Sequence, residues 1–384
     1  MSGATVGLDQ LAAPVPGGIG RYTLNITRAL AKRSDSPYPL VGFLPRISRE
    51  KADSVHGKLP LLDSIEISPY PRRVLALAWK SGFLLPKIET SYSPNLFAPL
   101  GPDGRQIVTV HDTVPWTHPE TLTKHGAKWH REMGERAAQY ADTIIVPTEA
   151  VAERLGAILK ADKRIEVIGG APDPELKVPF DEIFRRKNLG IPDKYLTFVG
   201  TLEPRKGLPK LIEAISRLGN TNLVIVGPQG WGRVSVADLA AKSGIDSNRI
   251  HAVGSVDDQT LASILSASTG LIVPSIDEGF GLPVLEAMSL GVPVIHSTAP
   301  ALVEVAGNAG IVVDVHGNRG VEQLAEAIAG LEDQKLQKEL IALGRSRAAE
   351  FTWDASAEKL SALIGGRKPP RPKPTGAPRG KRTN

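Results

Sequence analysis

The sequence predicts two α/β domains, each a doubly wound parallel sheet with helices on both faces, set opposite one another across a cleft. Three observations lead there. Short apolar runs rich in Val and Ile alternate with helical patterns along most of the chain, as βαβ units do. The 384 residues exceed what one core usually organises and suit two. Near the middle, Gly169-Gly170-Ala171-Pro172-Asp173-Pro174 is a cluster that breaks regular structure.

Taken in order, the first half carries apolar runs that predict strands near Thr5 to Leu8, Leu40 to Leu44, Ile107 to Val110, Thr143 to Val146 and Ile165 to Ile168. Helices are expected to begin near Tyr22 and to cover Lys128 to Tyr140 and Glu149 to Leu159, the last with Thr148 as N-cap. In the second half, strands are expected at Tyr195 to Val199, Leu223 to Val226, Ile250 to Val253, Leu271 to Val273, Val292 to Ile295 and Ile311 to Val313. The division that follows is 1–178 for the first domain and 179–350 for the second. A further helix, 351–365, comes after Phe351-Thr352-Trp353, and 366–384 is a basic tail expected to be disordered because it lacks apolar residues to bury.

Composition narrows the function classes. Hydrophobic residues make up 41% and charged residues 23%, which is ordinary for a globular protein. With no cysteine there is no disulfide, no thiolate metal site and no Cys nucleophile. No run approaches the roughly 18 apolar residues of a membrane helix, and the N-terminus does not resemble a secretory signal, so a cytoplasmic chain is expected. The net charge of +5 suggests nucleic acid until it is located: seven basic residues and no acidic ones lie after Gly366, leaving 39 basic against 41 acidic in the body. A nucleic-acid partner is therefore not expected.

Four strand-end segments carry the chemistry. Val273 to Met288 places Glu278, Gly279, Phe280, Gly281 and Leu282 between a buried strand and a helix, with Pro283 in the tolerated first turn and Gly291-Val292-Pro293 as the stop. Free N–H groups at that helix start favour oxygen-rich ligands. Glu286 lies about one turn in, so both carboxylates can face one crevice, each able to grip a vicinal diol, one a ribose and the other a hexose. Glycines at 279 and 281 allow close backbone approach.

The second segment, Phe198 to Gly207, puts Arg205 and Lys206 on the same sheet edge, where two cations suit a diphosphate. Alone, an Arg-Lys pair is better explained by a solvated loop. The third, Pro16-Gly17-Gly18-Ile19-Gly20-Arg21-Tyr22, begins a dinucleotide fingerprint, but Thr23 replaces the third glycine and no acidic partner follows at the required distance. It is expected to be a flexible phosphate- or sugar-facing loop containing Gly18. The fourth, Val110-His111-Asp112, places His111 at a strand end. His118, His125 and His130 lack the i, i+4 pairing of a helical zinc site, and no Asp-x-Asp motif is present, so neither a metal nor a cofactor is expected.

Together these segments resemble the retaining glycosyltransferases of the GT-B fold, family four (glycosyl transferases group 1), over almost the whole chain. Glu278 to Glu286 is similar to the family's Glu-x7-Glu element, Gly200-Thr201-Leu202 with Arg205-Lys206-Gly207 to its diphosphate loop, and Gly17 to Tyr22 to its N-terminal glycine loop. The resemblance implies Glu286 on the ribose, Glu278 with the Gly279 to Gly281 backbone on the hexose, and Arg205 and Lys206 on the departing diphosphate. It also implies His111 near the hexose and the His251 to Val253 strand end near the base. The 351–365 helix would cross back onto the first domain. One departure is visible: Ile168 to Asp173 lacks the Asn-Gly often found between the domains.

The implied reaction is hexosyl transfer from a nucleoside diphosphate sugar with retention at the anomeric carbon, by front-face displacement. The glycine and His-Asp-Thr segments look most like bacterial mannosyltransferases of cell-surface polysaccharides, which points to GDP-mannose, with UDP-glucose, UDP-GlcNAc or dTDP-rhamnose as alternatives. The acceptor would be a glycan or a lipid-linked sugar, and Arg72 to Lys80 is a candidate for peripheral contact with the inner membrane face, although its apolar residues also suit a core. A non-catalytic nucleotide-sugar-binding protein would keep the fold and lose the charged loops. A nicotinamide dehydrogenase is disfavoured by the broken fingerprint.

Overall fold

A computed structural model describes residues 3–13, 17–33, 38–161, 164–232 and 234–366. Pro16 and the basic tail from Arg367 onward lie outside the described residues.

Two all-parallel sheets organise the chain. The first contains β1 (Ala4–Gly7), β2 (Leu40–Leu44), β3 (Ser64–Ile67), β4 (Thr90–Ser93), β5 (Arg105–Thr109), β6 (Thr143–Val146) and β7 (Ile165–Val167), in the order β3-β2-β1-β4-β5-β6-β7. The second contains β8 (Leu196–Val199), β9 (Leu223–Val226), β10 (Ile250–Gly254), β11 (Leu271–Val273), β12 (Val294–Ser297) and β13 (Ile311–Val313), in the order β10-β9-β8-β11-β12-β13. The winding direction reverses between β1 and β4 and again between β8 and β11. Loops leaving the carboxyl ends of strands diverge at such a point and leave a crevice.

The aliphatic runs form strands because their side chains are covered on both faces: β6, β9 and β11 are buried at every position. Two strands were not anticipated. β4 is Thr-Ser-Tyr-Ser, buried yet almost without aliphatic side chains, and β3 is a largely exposed edge strand, Ser-Ile-Glu-Ile. Neither carries the apolar run that signals a central parallel strand.

The glycine segment also differs from expectation. Gly17 to Gly20 is not a loop but the first turn of the helix Gly17–Ala31, which starts five residues earlier than Tyr22. Glycine is a poor helix former, so local propensity hides this start, and packing overrides it. Helix Trp353–Gly365 lies against that helix, with Trp353, Ala357, Leu360 and Ile364 buried in the core of the first sheet. Trp353 Nε1 donates to the Pro172 carbonyl at 3.1 Å and Ser356 Oγ to that of Gly169 at 2.8 Å, fastening the interdomain stretch.

The helix Arg72–Lys80 has two faces: Leu75 and Trp79 enter the core, while Val74 and Leu77 are 43% and 67% exposed. Among the described residues, no helix is long and apolar enough to cross a membrane.

Candidate active site

The loops after β8 and β11, neighbours at the reversal point, are stitched together by the Ile276 N–H donating to the Arg205 carbonyl at 2.8 Å. This sets Arg205 and Lys206 around Glu278. Lys206 Nζ lies 2.6 Å from Glu278 Oε1, which also accepts from Ser275 Oγ at 2.8 Å, and Arg205 Nη1 lies 2.9 Å from Oε2. The other arm of Arg205 meets Glu203 Oε1 at 2.7 Å, and Nη1 also reaches the Asp277 carbonyl at 2.8 Å.

Burial opposes ionisation of Glu278, but the Lys206 ammonium and the Arg205 guanidinium more than offset it and draw its pKa down to about 2. Burial pushes Glu203 up, against the pull of Arg205 and Lys206. Arg205 stays charged throughout: burial works against it, and Glu278 and Glu203 hold its pKa above the ordinary value.

From Glu278 the chain passes close under the first domain. A Cβ at Gly279 has no room beside the His111 carbonyl oxygen, and the Gly279 carbonyl accepts from Thr148 Oγ1 at 3.0 Å. Phe280 packs at Gly169 and Gly170 and meets the Phe351 ring edge to face at 5.9 Å. Gly281, at φ +89°, turns the chain into the helix Leu282–Ser289, where a β-carbon would be strained. Leu282 takes the space that a β-carbon at Gly170 would need, and its side chain also faces Gly18. Asp277, below this loop, is gripped from the first domain by Arg154 at 2.9 Å and Thr117 at 3.2 Å.

His111 donates Nε2–H to the Pro94 carbonyl at 2.6 Å and packs edge-on against Tyr22 at 5.0 Å. Burial lowers its pKa, so the neutral ring carries its proton on Nε2 and leaves Nδ1 as an acceptor.

Glu286 belongs to a second cluster. Arg21 reaches it from the first domain, Nη1 to Oε1 at 3.1 Å, while Nη2 pairs with Asp258 and Nη1 lies 3.6 Å from Asp173 Oδ2. Asn25, one turn along the same helix, donates to Asp173 Oδ2 at 3.0 Å. Here one guanidinium serves three carboxylates. Burial pushes Glu286 up, Arg21 pulls it down, and Asp173 and Asp258 push it further up.

The residues singled out from sequence thus fall into two groups joined by one loop. Arg205, Lys206 and Glu278 are in direct contact, and His111 covers Gly279. Glu286 sits in the Arg21 cluster, with Phe280, Gly281, Leu282 and Gly18 between the domains. Val253 stands apart: it is half buried on the edge strand β10 and packs into the core of the second domain. From that strand end it is Asp258, the first residue of the helix Asp258–Ser266, that reaches the cluster.

Two family descriptions match the chain in succession: Glycosyltransferase Family 4 over residues 16–176 and Glycosyl transferases group 1 over residues 179–347. The chain belongs to the group 1, family 4 glycosyltransferases. It is 27% identical over 363 residues to the O-antigen chain mannosyltransferase B of Escherichia coli, covering 88% of this chain and 93% of that protein. It is 32% identical over 242 residues to the D-inositol 3-phosphate glycosyltransferase of Mycolicibacterium paratuberculosis, covering 60% of this chain and only 54% of that one. Among solved structures, sucrose-phosphate synthase from Thermosynechococcus elongatus superposes with a TM-score of 0.73 at 21% identity, covering 94% of this chain and 98% of that one. HepE of Anabaena, solved with UDP and glucose, gives a TM-score of 0.73 at 17% identity, covering 94% and 99%. These superpositions establish the GT-B fold.

For a group 1 glycosyltransferase of this build, sequence reasoning did not single out Arg21, Asp258, Asp173 and Glu203, which the structure brings into the two charged clusters. The available signal was positional. Arg21 follows the glycines, Asp258 opens the helix after β10, Asp173 sits in the interdomain cluster, and Glu203 lies two residues before Arg205.

Proposed function

We propose that this glycosyltransferase moves a hexose from a nucleoside diphosphate sugar to a glycan or lipid-linked acceptor, with retention of anomeric configuration. The observation that carries the reading is the Arg205-Lys206-Glu278 cluster at the reversal point of the second sheet. Arg205 and Lys206 stabilise the departing diphosphate through charge-assisted hydrogen bonds of about 1.5–3 kcal/mol each. Glu278 and the Gly279 to Leu282 backbone hold the hexose, His111 faces it from the first domain, Glu286 takes the ribose, and the Val253 strand end lies toward the base. Residues 179–350 thereby serve the donor and 1–178 the acceptor. A front-face displacement fits the position of Asp112: it lies beside Gly279, but its Oδ1 accepts from the Val114 N–H at 3.1 Å, so it caps a turn and is not aimed as a nucleophile.

GDP-mannose is the first donor to test, the mannosyltransferase relative that matches nearly end to end being its support. A thermal-shift panel of GDP-, UDP-, dTDP- and ADP-sugars in EDTA decides the class, since a ligand at about 100 times its Kd adds roughly 2.7 kcal/mol. Stabilisation by one class, abolished in Glu286→Ala, supports the assignment. No shift with any of them refutes it. We place the enzyme in the cytoplasm with the exposed side of Arg72–Lys80, carrying Val74 and Leu77, toward the inner membrane face. Failure to sediment with anionic liposomes removes that contact.

A further inference from the structure

We propose that Arg21 is a positioning residue for the donor: by holding one oxygen of Glu286 from across the cleft, it leaves the other for the donor's diol and makes donor binding conditional on domain closure. The inference rests on the assignment of Glu286 to the donor and adds to it a residue from the opposite domain.

Glu286 is 2% exposed and stands on a helix of the second domain, yet the guanidinium that neutralises it comes from the helix Gly17–Ala31 of the first. Arg21 is the cation among the described residues that act most strongly on Glu286. The charged groups facing it from the other packed elements are Asp173 on the interdomain stretch and Asp258 on the helix after β10, both acidic. Buried and surrounded by acids, Glu286 would hold a proton if Arg21 withdrew, and a protonated carboxyl grips a diol less well than a carboxylate that accepts from both hydroxyls. The contact to Oε1 at 3.1 Å orients the group as well as charging it. Opening the cleft separates Arg21 from Glu286, so an open enzyme presents a weakened ribose site. Arg21 does not touch the reacting atoms. It acts through Glu286.

The test is calorimetric titration of the full-length protein with GDP-mannose and UDP-glucose from pH 6 to pH 9, for wild type, Arg21→Ala, Arg21→Lys and Asp258→Asn. The wild type should bind one of them with little pH dependence. Arg21→Ala should bind it at least tenfold more weakly at pH 6, with the deficit shrinking as pH rises and Glu286 ionises unaided, and with kcat at saturating donor changed less than KM. Arg21→Lys should recover part of the affinity. Asp258→Asn removes an acid that favours the proton on Glu286, so whatever its affinity, its pH dependence should be no steeper than that of the wild type; a steeper loss toward pH 6 counts against the proposal, and this variant keeps the test open should Arg21→Ala fail to fold. An Arg21→Ala affinity equal to wild type, or weaker by the same factor at every pH, overturns the proposal while leaving the donor assignment standing. No binding by the wild type to either sugar overturns both.

Discussion

The two glutamates of the Glu278 to Glu286 element stand eight positions apart on one continuous segment, yet their surroundings treat them in opposite ways. Around Glu278, two cations meet two carboxylates, and every hydrogen-bonding partner comes from the second domain, with Asp112 of the first adding to the pull on Arg205. Around Glu286, one cation meets three carboxylates, and that cation comes from the first. The hydrogen bonds of the first cluster do not cross between the domains. The second is assembled only when they meet. Burial pushes both groups toward neutrality, so the difference lies in the neighbours: Lys206 and Arg205 bring Glu278 down to about 2, whereas Arg21 is outweighed and Glu286 stays above its ordinary value. The comparison teaches that a short motif can combine a preorganised charge centre with one that senses domain closure.

The largest effect should come from breaking the preorganised side. Lys206→Ala should lower kcat about 100-fold or more, the scale for losing a group that stabilises developing charge, with a smaller change in donor KM. Steady-state kinetics would check it, and a loss confined to KM would show that Lys206 binds the donor without assisting departure.

Stability should separate the clusters next. Glu278→Gln leaves Lys206 and one arm of Arg205 without their buried counter-charge, which costs about 3–5 kcal/mol. Because folded Glu278 ionises near 2 and an unfolded glutamate near about 4.3, its stabilisation is complete above the unfolded value and is lost as pH falls toward 2. The gap between wild type and Glu278→Gln in denaturant unfolding should therefore be widest near neutrality and narrow on acidification. For Glu286 the sign reverses: the folded protein holds that proton more tightly than the unfolded chain, so Glu286→Gln should leave neutral-pH stability unchanged or raise it. Equal losses in the two variants would erase the contrast.

The smallest effect concerns the tie between the domains beneath the loop. Arg154 is 35% exposed at its side chain and Asp277 keeps its Thr117 partner, so Arg154→Ala should weaken donor binding by less than about fivefold. A larger loss would mean that the loop around Glu278 also depends on closure.

Much of this was legible in the sequence, for identifiable reasons. β2, β6, β9 and β11 have the bounds that their aliphatic runs predict, because interior parallel strands are covered on both faces, and the edge strand β13 matches its Ile-Val-Val run as well. β4 escaped notice because Tyr92 and three hydroxyl side chains fill a buried strand without Val or Ile, its Tyr92 hydroxyl satisfied by Thr109 at 3.1 Å. That Arg205, Lys206 and Glu278 lie on one sheet edge followed from their two strand-end loops, whereas their direct pairing did not. Arg21, Asp173 and Asp258 did not follow, since their meeting depends on how one domain sits on the other, and no local pattern encodes that.

The most direct test of the central claim is release of nucleoside diphosphate from GDP-mannose and the UDP-, dTDP- and ADP-sugars in EDTA, by wild type and by the Arg205→Ala/Lys206→Ala double variant. The account predicts release from one donor class by the wild type, and near-complete loss in a double variant that remains folded. A folded double variant as active as the wild type, or a wild type silent with every donor, would contradict it.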